Sequence, residues 1–234
     1  MKQIAAFLAT SAGAAVSSLC CANNPGMVGE LDRYGDLKTP DVHAEVFKQL
    51  TDSLKISKVT EVDFSSCGIG PVALGHLSEW VRDAIGAIAR LTLSGNMITG
   101  SRQEWDDDVE DEVWIYDKDL SGLASLCDAF LTLKTPIELD LSNCGLSVNG
   151  VNPLAKAISA GGAVTSINCL ANKFGEEDLA TLLTAIEGTS VRSLCGLAEG
   201  QTTADFSGQN LGPIDMKIMA AEYGFQGLSA RSTR

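Results

Sequence analysis

Residues 59–69 read VTEVDFSSCGI, with apolar side chains at Val59, Val62, Phe64 and Ile69 and a thiol at Cys67. The same spacing returns at 88–98 (IARLTLSGNMI), on Ile88, Leu91, Leu93, Asn96 and Ile98. It returns at 136–146 (PIELDLSNCGL), on Leu139, Leu141, Cys144 and Leu146, with Pro136 in the first slot. A further copy is 164–174 (VTSINCLANKF), on Val164, Ile167, Cys169, Asn172 and Phe174. The alternation in the middle of each copy turns two apolar side chains inward from one short strand. The Asn or Cys sits where the chain leaves that strand, and can bond backbone groups that the bend leaves unpaired.

Copies begin at 59, 88, 136, 164 and 191, so the closely spaced ones lie 27 to 29 residues apart. Between them apolar residues fall at three- and four-residue steps: Leu74, Leu77, Val81 and Ile85; then Leu123, Leu126, Cys127, Phe130 and Leu131; then Leu179, Leu182, Leu183 and Ile186. These are amphipathic helices. One strand and one helix per unit predict a right-handed α/β solenoid, a horseshoe with short parallel strands on its concave face and helices on its convex face.

The N-terminus reads two ways. MKQIAAFLATSAGAAVSSLCCA has the Lys, modest apolar stretch and small residues of a secretory signal. Yet SAGAAVSSLCCANN from Ser11 aligns without a gap on SAGGAVTSINCLAN from Ser159, and puts Val16, Leu19, Cys21 and Asn24 in the repeat slots. The second reading makes this stretch the first helix and strand. The solenoid then starts without a polar cap, which implies a segment of a longer solenoid, a divergent start, or an end covered by something else. The run is broken by Thr10, Ser11 and Gly13, so no membrane span is expected. At the other end, VRSLCGL from Val191 and ADFSGQNL around Ala204, Phe206, Gln209 and Leu211 are degenerate copies. A helix is expected from Pro213 to Tyr223. Residues 1–224 are thus read as one repeat domain of about six units, and 225–234 as a frayed tail.

The net charge is −13 over 234 residues. Phosphate binding needs a basic face, so nucleic acid and acidic membranes are disfavoured and a basic protein surface is the natural complement. Seven Cys, an odd number without a framework of spacings, read as buried reduced thiols and point to a reducing, cytoplasmic setting.

Residues 101–119 interrupt the repeat. They hold nine acids (Glu104, Asp106, Asp107, Asp108, Glu110, Asp111, Glu112, Asp117, Asp119) against Arg102 and Lys118, a net −7, with Trp105, Trp114 and Tyr116 among them. One reading is a rim loop that offers acids and aromatic anchors to a basic partner. The other is a solvated, mobile loop. Removing 101–119 is expected to leave the fold intact. The acids alternate as in a calcium loop, but in that register the required Gly is Asp111 and the closing Glu is Asp117, so no specific metal site is expected. A smaller insert, around ELDRYGDLKTP, lies between Asn24 and Val59 and also projects at the rim. Pro40–Asp41 then lead a helix through Val42, Val46 and Leu50.

The outward strand slots give an inner face: Glu61, Asp63 and Ser65; Arg90, Thr92 and Ser94; Glu138, Asp140 and Ser142; Ser166, Asn168 and Leu170. In-register stacking puts Arg90 between Glu61 and Glu138. That pair is read as surface neutralisation, and the face as a whole as a contact surface. The candidate partner-binding residues are therefore Glu61, Asp63, Ser65, Arg90, Thr92, Glu138, Asp140, Ser166 and Asn168, with Trp105, Asp106, Asp107, Asp108, Trp114 and Tyr116 of the insert. No catalytic, cofactor or metal motif is found, and His43 and His76 are isolated.

The 28-residue period, the Asn/Cys slot and the helical side resemble the ribonuclease-inhibitor-like branch of leucine-rich-repeat proteins. That branch includes ribonuclease inhibitor, the sensor arms of nucleotide-binding immune receptors, the activating protein of the Ran GTPase, tropomodulin and many protist repeat proteins. The ending LCGL…ADFSGQNLGPID…AAEYG resembles the last group best. The chain has no P-loop, so it is not a whole immune receptor. The resemblance implies a non-catalytic protein-interaction or scaffold module, with regulation of a small GTPase as the alternative. If residues 1–22 are a signal, a secreted recognition protein follows instead.

Overall fold

The computed structural model describes residues 1–10, 12–84, 87–161, 163–197 and 201–229. Five parallel strands form one sheet: β1 (Ser18–Cys20), β4 (Glu61–Asp63), β5 (Arg90–Thr92), β8 (Ile137–Asp140) and β9 (Val164–Asn168), adjacent in that order. Two antiparallel hairpins stand apart from it, β2 (Glu30–Leu31) with β3 (Leu37–Thr39), and β6 (Arg102–Asp106) with β7 (Asp111–Ile115). Seven helices are described: α1 (Lys2–Leu8), α2 (Ala44–Lys55), α3 (Pro71–Asp83), α4 (Ser121–Phe130), α5 (Val148–Ser159), α6 (Glu176–Ile186) and α7 (Pro213–Ser229). Each parallel strand from β1 to β9 is followed by a helix, and neighbouring helices from α1 to α6 pack in chain order.

The register is that of equivalent slots. Ser18, Glu61, Arg90, Glu138 and Ser166 lie side by side, as do Cys20, Asp63, Thr92, Asp140 and Asn168. The inward row between them, Val62, Leu91, Leu139 and Ile167, is buried. A one-residue slip would bring the charged rows into the core, so the alternation holds the register. One core of buried residues runs from Leu8 to Ile218. Phe47 of α2 meets Phe64 edge-on, with ring centres 5.3 Å apart.

The Asn/Cys slot ties each unit to the one before it. Cys67 Sγ donates to the Cys21 carbonyl, Asn96 Nδ2 to Phe64, Cys144 Sγ to Leu93 and Asn172 Nδ2 to Leu141. All four acceptors occupy the same slot of the preceding unit. The two Asn also accept: Asn96 Oδ1 takes the N–H groups of Cys67 and Ile69, and Asn172 Oδ1 those of Cys144 and Leu146. Asn24, beside the edge strand β1, donates its Nδ2 to the Cys21 and Ala22 carbonyls of its own turn.

Several expectations need correction. Pro136 is exposed, and Ile137 fills the first slot opposite Val164, because the strand carries an irregularity between Ile137 and Glu138. Helix α2 starts at Ala44, so Val42 is exposed and the buried face is Ala44, Phe47, Leu50, Thr51 and Leu54. Leu131 follows the end of α4 and is 47 % exposed. Ile85 lies outside the described residues. Segment 204–211 forms no strand, since the sheet ends in isolated bridges from Ser166 to Ser193 and from Asn168 to Cys195. There Glu222 of α7, buried, accepts from Ser193 Oγ at 2.6 Å and from the N–H groups of Leu194 and Cys195. This carboxylate serves the donors that a further strand would have served. Helix α7 continues past Tyr223 to Ser229.

Asn96 is fully buried and joins four backbone groups. Asn96→Ala therefore strands buried donors and acceptors and is expected to lower unfolding free energy by about 3 kcal/mol or more. Urea titration should give a clearly smaller loss for Asn172→Ala, whose site is half-buried.

Candidate protein-interaction surface

The solvent face of the sheet carries Glu61, Arg90 and Glu138 in one row, as the slot spacing predicts. Arg90 gives Nε and Nη2 to Glu138 Oε2 at 3.0 and 2.7 Å, and this bond holds its charged form. Both side chains are largely exposed, so the pair adds little to stability. The next row is more committed than the sequence reading assumed. Asp63 Oδ1 accepts from Ser65 N–H and Oγ, and Asp140 Oδ1 does the same for Ser142. These D-x-S brackets hold the chain where it leaves the strand. The motif is legible in sequence and recurs at Asp205 and Ser207. The remaining oxygens face the neighbours, Asp63 Oδ2 near the Cys20 thiol and Asp140 Oδ2 to Asn168 Nδ2. Ser166 is only 8 % exposed, because the Ser193 bridge covers it, and Leu170 is buried rather than outward. A concavity of about 280 Å³ lies over Arg90, Thr92, Glu138, Asp140 and Asn168, with Gly196 and Gln201 also in its lining.

The acidic insert is a hairpin, not an irregular loop. Arg102 pairs with Ile115, Gln103 with Trp114, Glu104 with Val113, Trp105 with Glu112 and Asp106 with Asp111. Asp106 Oδ1 accepts from the Asp108 N–H and closes the turn. Trp114, 45 % exposed, stacks on Tyr116 with ring centres 5.8 Å apart. The Trp105 side chain lies outside the described residues. Both cations go to one carboxylate: Glu104 binds Arg102 and Lys118, which hold it below the usual carboxylate range. Asp107 and Asp108 are exposed near the tip. Among the described residues no group of three or more His, Cys, Asp or Glu could hold a metal ion.

The residues that hold the inserts in place escaped the sequence reading. Both inserts end on an Asp in the left-handed conformation, Asp41 (φ 65°) and Asp117 (φ 53°). Each reaches into the following unit and caps its helix. Asp41 accepts from Gly70, Val72 and Ala73 N–H at the start of α3. Asp117 Oδ2 accepts from Ser147 N–H, Ser147 Oγ and Gly150 N–H at the start of α5. The receiving turns are alike. A Cβ on Gly68 would lie 2.4 Å from the Pro25 carbonyl oxygen, and one on Gly145 3.0 Å from Ser101 Cβ. Ser101 Oγ, bonded to the Gly145 carbonyl, also accepts the Asp117 N–H. Hence deletion of 101–119 would take away the cap of α5 and is expected to destabilise the fold rather than leave it untouched. The hairpin proper, 103–114, is separable because Arg102 and Ile115 already pair.

The cysteines are unpaired, and Cys20 is the exposed one. Burial pushes the Cys67, Cys127, Cys144 and Cys169 thiols up to about 12. Among the described residues no helix is long and apolar enough to cross a membrane.

No family model and no curated protein sequence matches the chain. Among solved structures, it is similar to the tropomodulin C-terminal domain of Caenorhabditis elegans. That likeness has 13 % identity and a TM-score of 0.51, and covers 80 % of this chain and 90 % of that one. A weaker likeness, TM-score 0.39 at 16 % identity, is to Actin-Binding Site 2 of leiomodin-1, over 70 % of this chain and 82 % of that one. The first supports a leucine-rich-repeat-type fold, and the second carries no argument. Neither supports the ribonuclease-inhibitor branch or the protist resemblance.

Two outcomes are expected. Asp117→Ala should cost about 2 kcal/mol of stability, as the loss of a strong N-cap does, whereas Asp108→Asn at the hairpin tip should leave the melting curve unchanged. In a native thiol titration near neutral pH, Cys20 should react fast and the other six only on unfolding, read by mass mapping of the labelled peptides.

Proposed function

We propose that this chain is a non-catalytic interaction module that presents the solvent face of its sheet and its acidic rim hairpin to a basic protein surface. The observation that carries the reading is the imbalance of committed charge. On the sheet face, Glu61, Asp63, Glu138 and Asp140 meet Arg90 as the one cation of the five strands, and it is already bonded to Glu138. On the hairpin, seven acids meet one cation, Arg102, and both it and the neighbouring Lys118 are spent on Glu104. A surface of this sign draws a basic partner, accelerates its encounter and repels acidic ones. We read the stacked units as a horseshoe of the ribonuclease-inhibitor type, whose curvature would bring face and rim toward one partner. Among the described residues none supports the small-GTPase alternative.

The test is affinity purification with quantitative mass spectrometry on three proteins. They are the full chain, a chain with 103–114 replaced by Asn-Gly to keep a tight turn, and a chain carrying Glu61→Gln and Glu138→Gln. The expected partners have basic surfaces, elute with rising salt, and are depleted at least several-fold in both variants. A partner set that is identical for all three and insensitive to salt would sink the reading.

A further inference from the structure

We infer that the exposed face of the β6–β7 hairpin recognises an arginine side chain on the basic partner, and discriminates it from lysine. The inference rests on the reading above and adds the residue that the partner must carry.

The backbone register divides the hairpin into two faces. Arg102, Glu104, Val113 and Ile115 share one face; Gln103, Glu112 and Trp114 share the other with the backbone position of Trp105. The first face is occupied. Its Val113 and Ile115 are half-buried, and its Arg102 is bonded to Glu104, which also takes Lys118. On the second face Gln103, Glu112 and Trp114 are all exposed. None of these three is a cation. Tyr116 lies beyond Trp114 on the same side of the strand, with the two rings 11° from parallel. Because the two rings stack on each other, the aromatic surface left for a partner is that of Trp114, the exposed member, held at the root of the hairpin rather than at its tip. Glu112 shares the face of Trp114, two residues away, and among the described residues no ion pair involves it; Asp106, Asp108, Glu110 and Asp111, toward the tip, are in none either and add to the negative field.

An exposed Trp ring with an unpaired carboxylate on the same face of the strand matches one side chain better than any other. A guanidinium is planar and weakly hydrated, stacks on aromatic faces, and keeps its edge N–H groups free for carboxylates. An ammonium has the charge without the plane. The other hairpin shows the same contact satisfied internally: the Arg33 guanidinium carbon lies 4.6 Å from the Tyr34 ring centre, next to Asp32. On β6–β7 no arginine of the hairpin reaches the aromatic pair, since Arg102 belongs to the other face.

The test uses two synthetic peptides of equal length and charge, one alternating Gly and Arg, the other Gly and Lys, titrated at low salt by calorimetry. The chain should bind the Arg peptide about three- to fivefold more tightly, the size of an exposed cation–π contact. Trp114→Ala should erase the difference while leaving the melting curve unchanged, and Trp114→Phe should keep part of it. Equal, salt-sensitive binding of both peptides, lost when 103–114 is replaced, would overturn the arginine inference and leave the basic-partner reading standing. Binding of neither peptide would overturn the inference and remove the hairpin from that reading as well.

Discussion

The structure depends on one interaction more than any other: the side chain in the Asn/Cys slot reaching back to the preceding unit. A short strand followed by a sharp turn leaves backbone groups unpaired just where the chain leaves the sheet. Asn96 and Asn172 supply both an acceptor and donors there, and Cys67 and Cys144 supply a small apolar body with a weak donor. Because each of these side chains reaches a carbonyl of the previous unit, the bond that completes a turn also sets the spacing between turns. Parallel register, helix stacking and the row of surface charges all follow from that spacing.

On this frame lies a second order, two units long. Cys67 and Gly68 recur 77 residues later as Cys144 and Gly145, and Asn96 and Asn172 fall in the alternate units. Both hairpins leave units that carry Asn in the slot, and both end on an Asp that caps the next helix, in a unit that carries Cys. The Gly in that second unit makes room for the root of the insert. A rim insert is thereby locked to its neighbour by three hydrogen bonds, as firmly as a helix cap. The tip can vary in charge and length without loosening the frame.

This separates two kinds of acid that composition alone pools together. Asp41, Asp117, Asp215 and Glu222 accept backbone N–H groups, and Asp63 and Asp140 each give one oxygen to a turn. They belong to the fold. The tip and exposed face of β6–β7, with Glu61 and Glu138, are where charge remains for another molecule. Screening by salt acts on the second group and little on the first.

The alternation of strand and helix, the inward rows and the placing of Arg90 between Glu61 and Glu138 were all legible in the sequence, because each follows from a short period and a register that burial enforces. The first copy was legible too: SAGAAVSSLCCANN builds β1 in register with β4. Tertiary structure alone decided what lies between periods. Asp41 and Asp117 find their donors 29 to 33 residues downstream, in another unit, and no local spacing announces that. The insert became a hairpin because its two charged halves pair across a tight turn, while composition had pointed to a loop. Ile137 displaced Pro136 from the first slot, since a ring without an N–H serves a strand poorly there. Ser166, Leu170 and Glu222 took their burial from the end of the sheet, where the next strand is replaced by a helix. Period is a property of neighbours in sequence, whereas a cap, a covered edge or an open face depends on what the rest of the chain brings alongside.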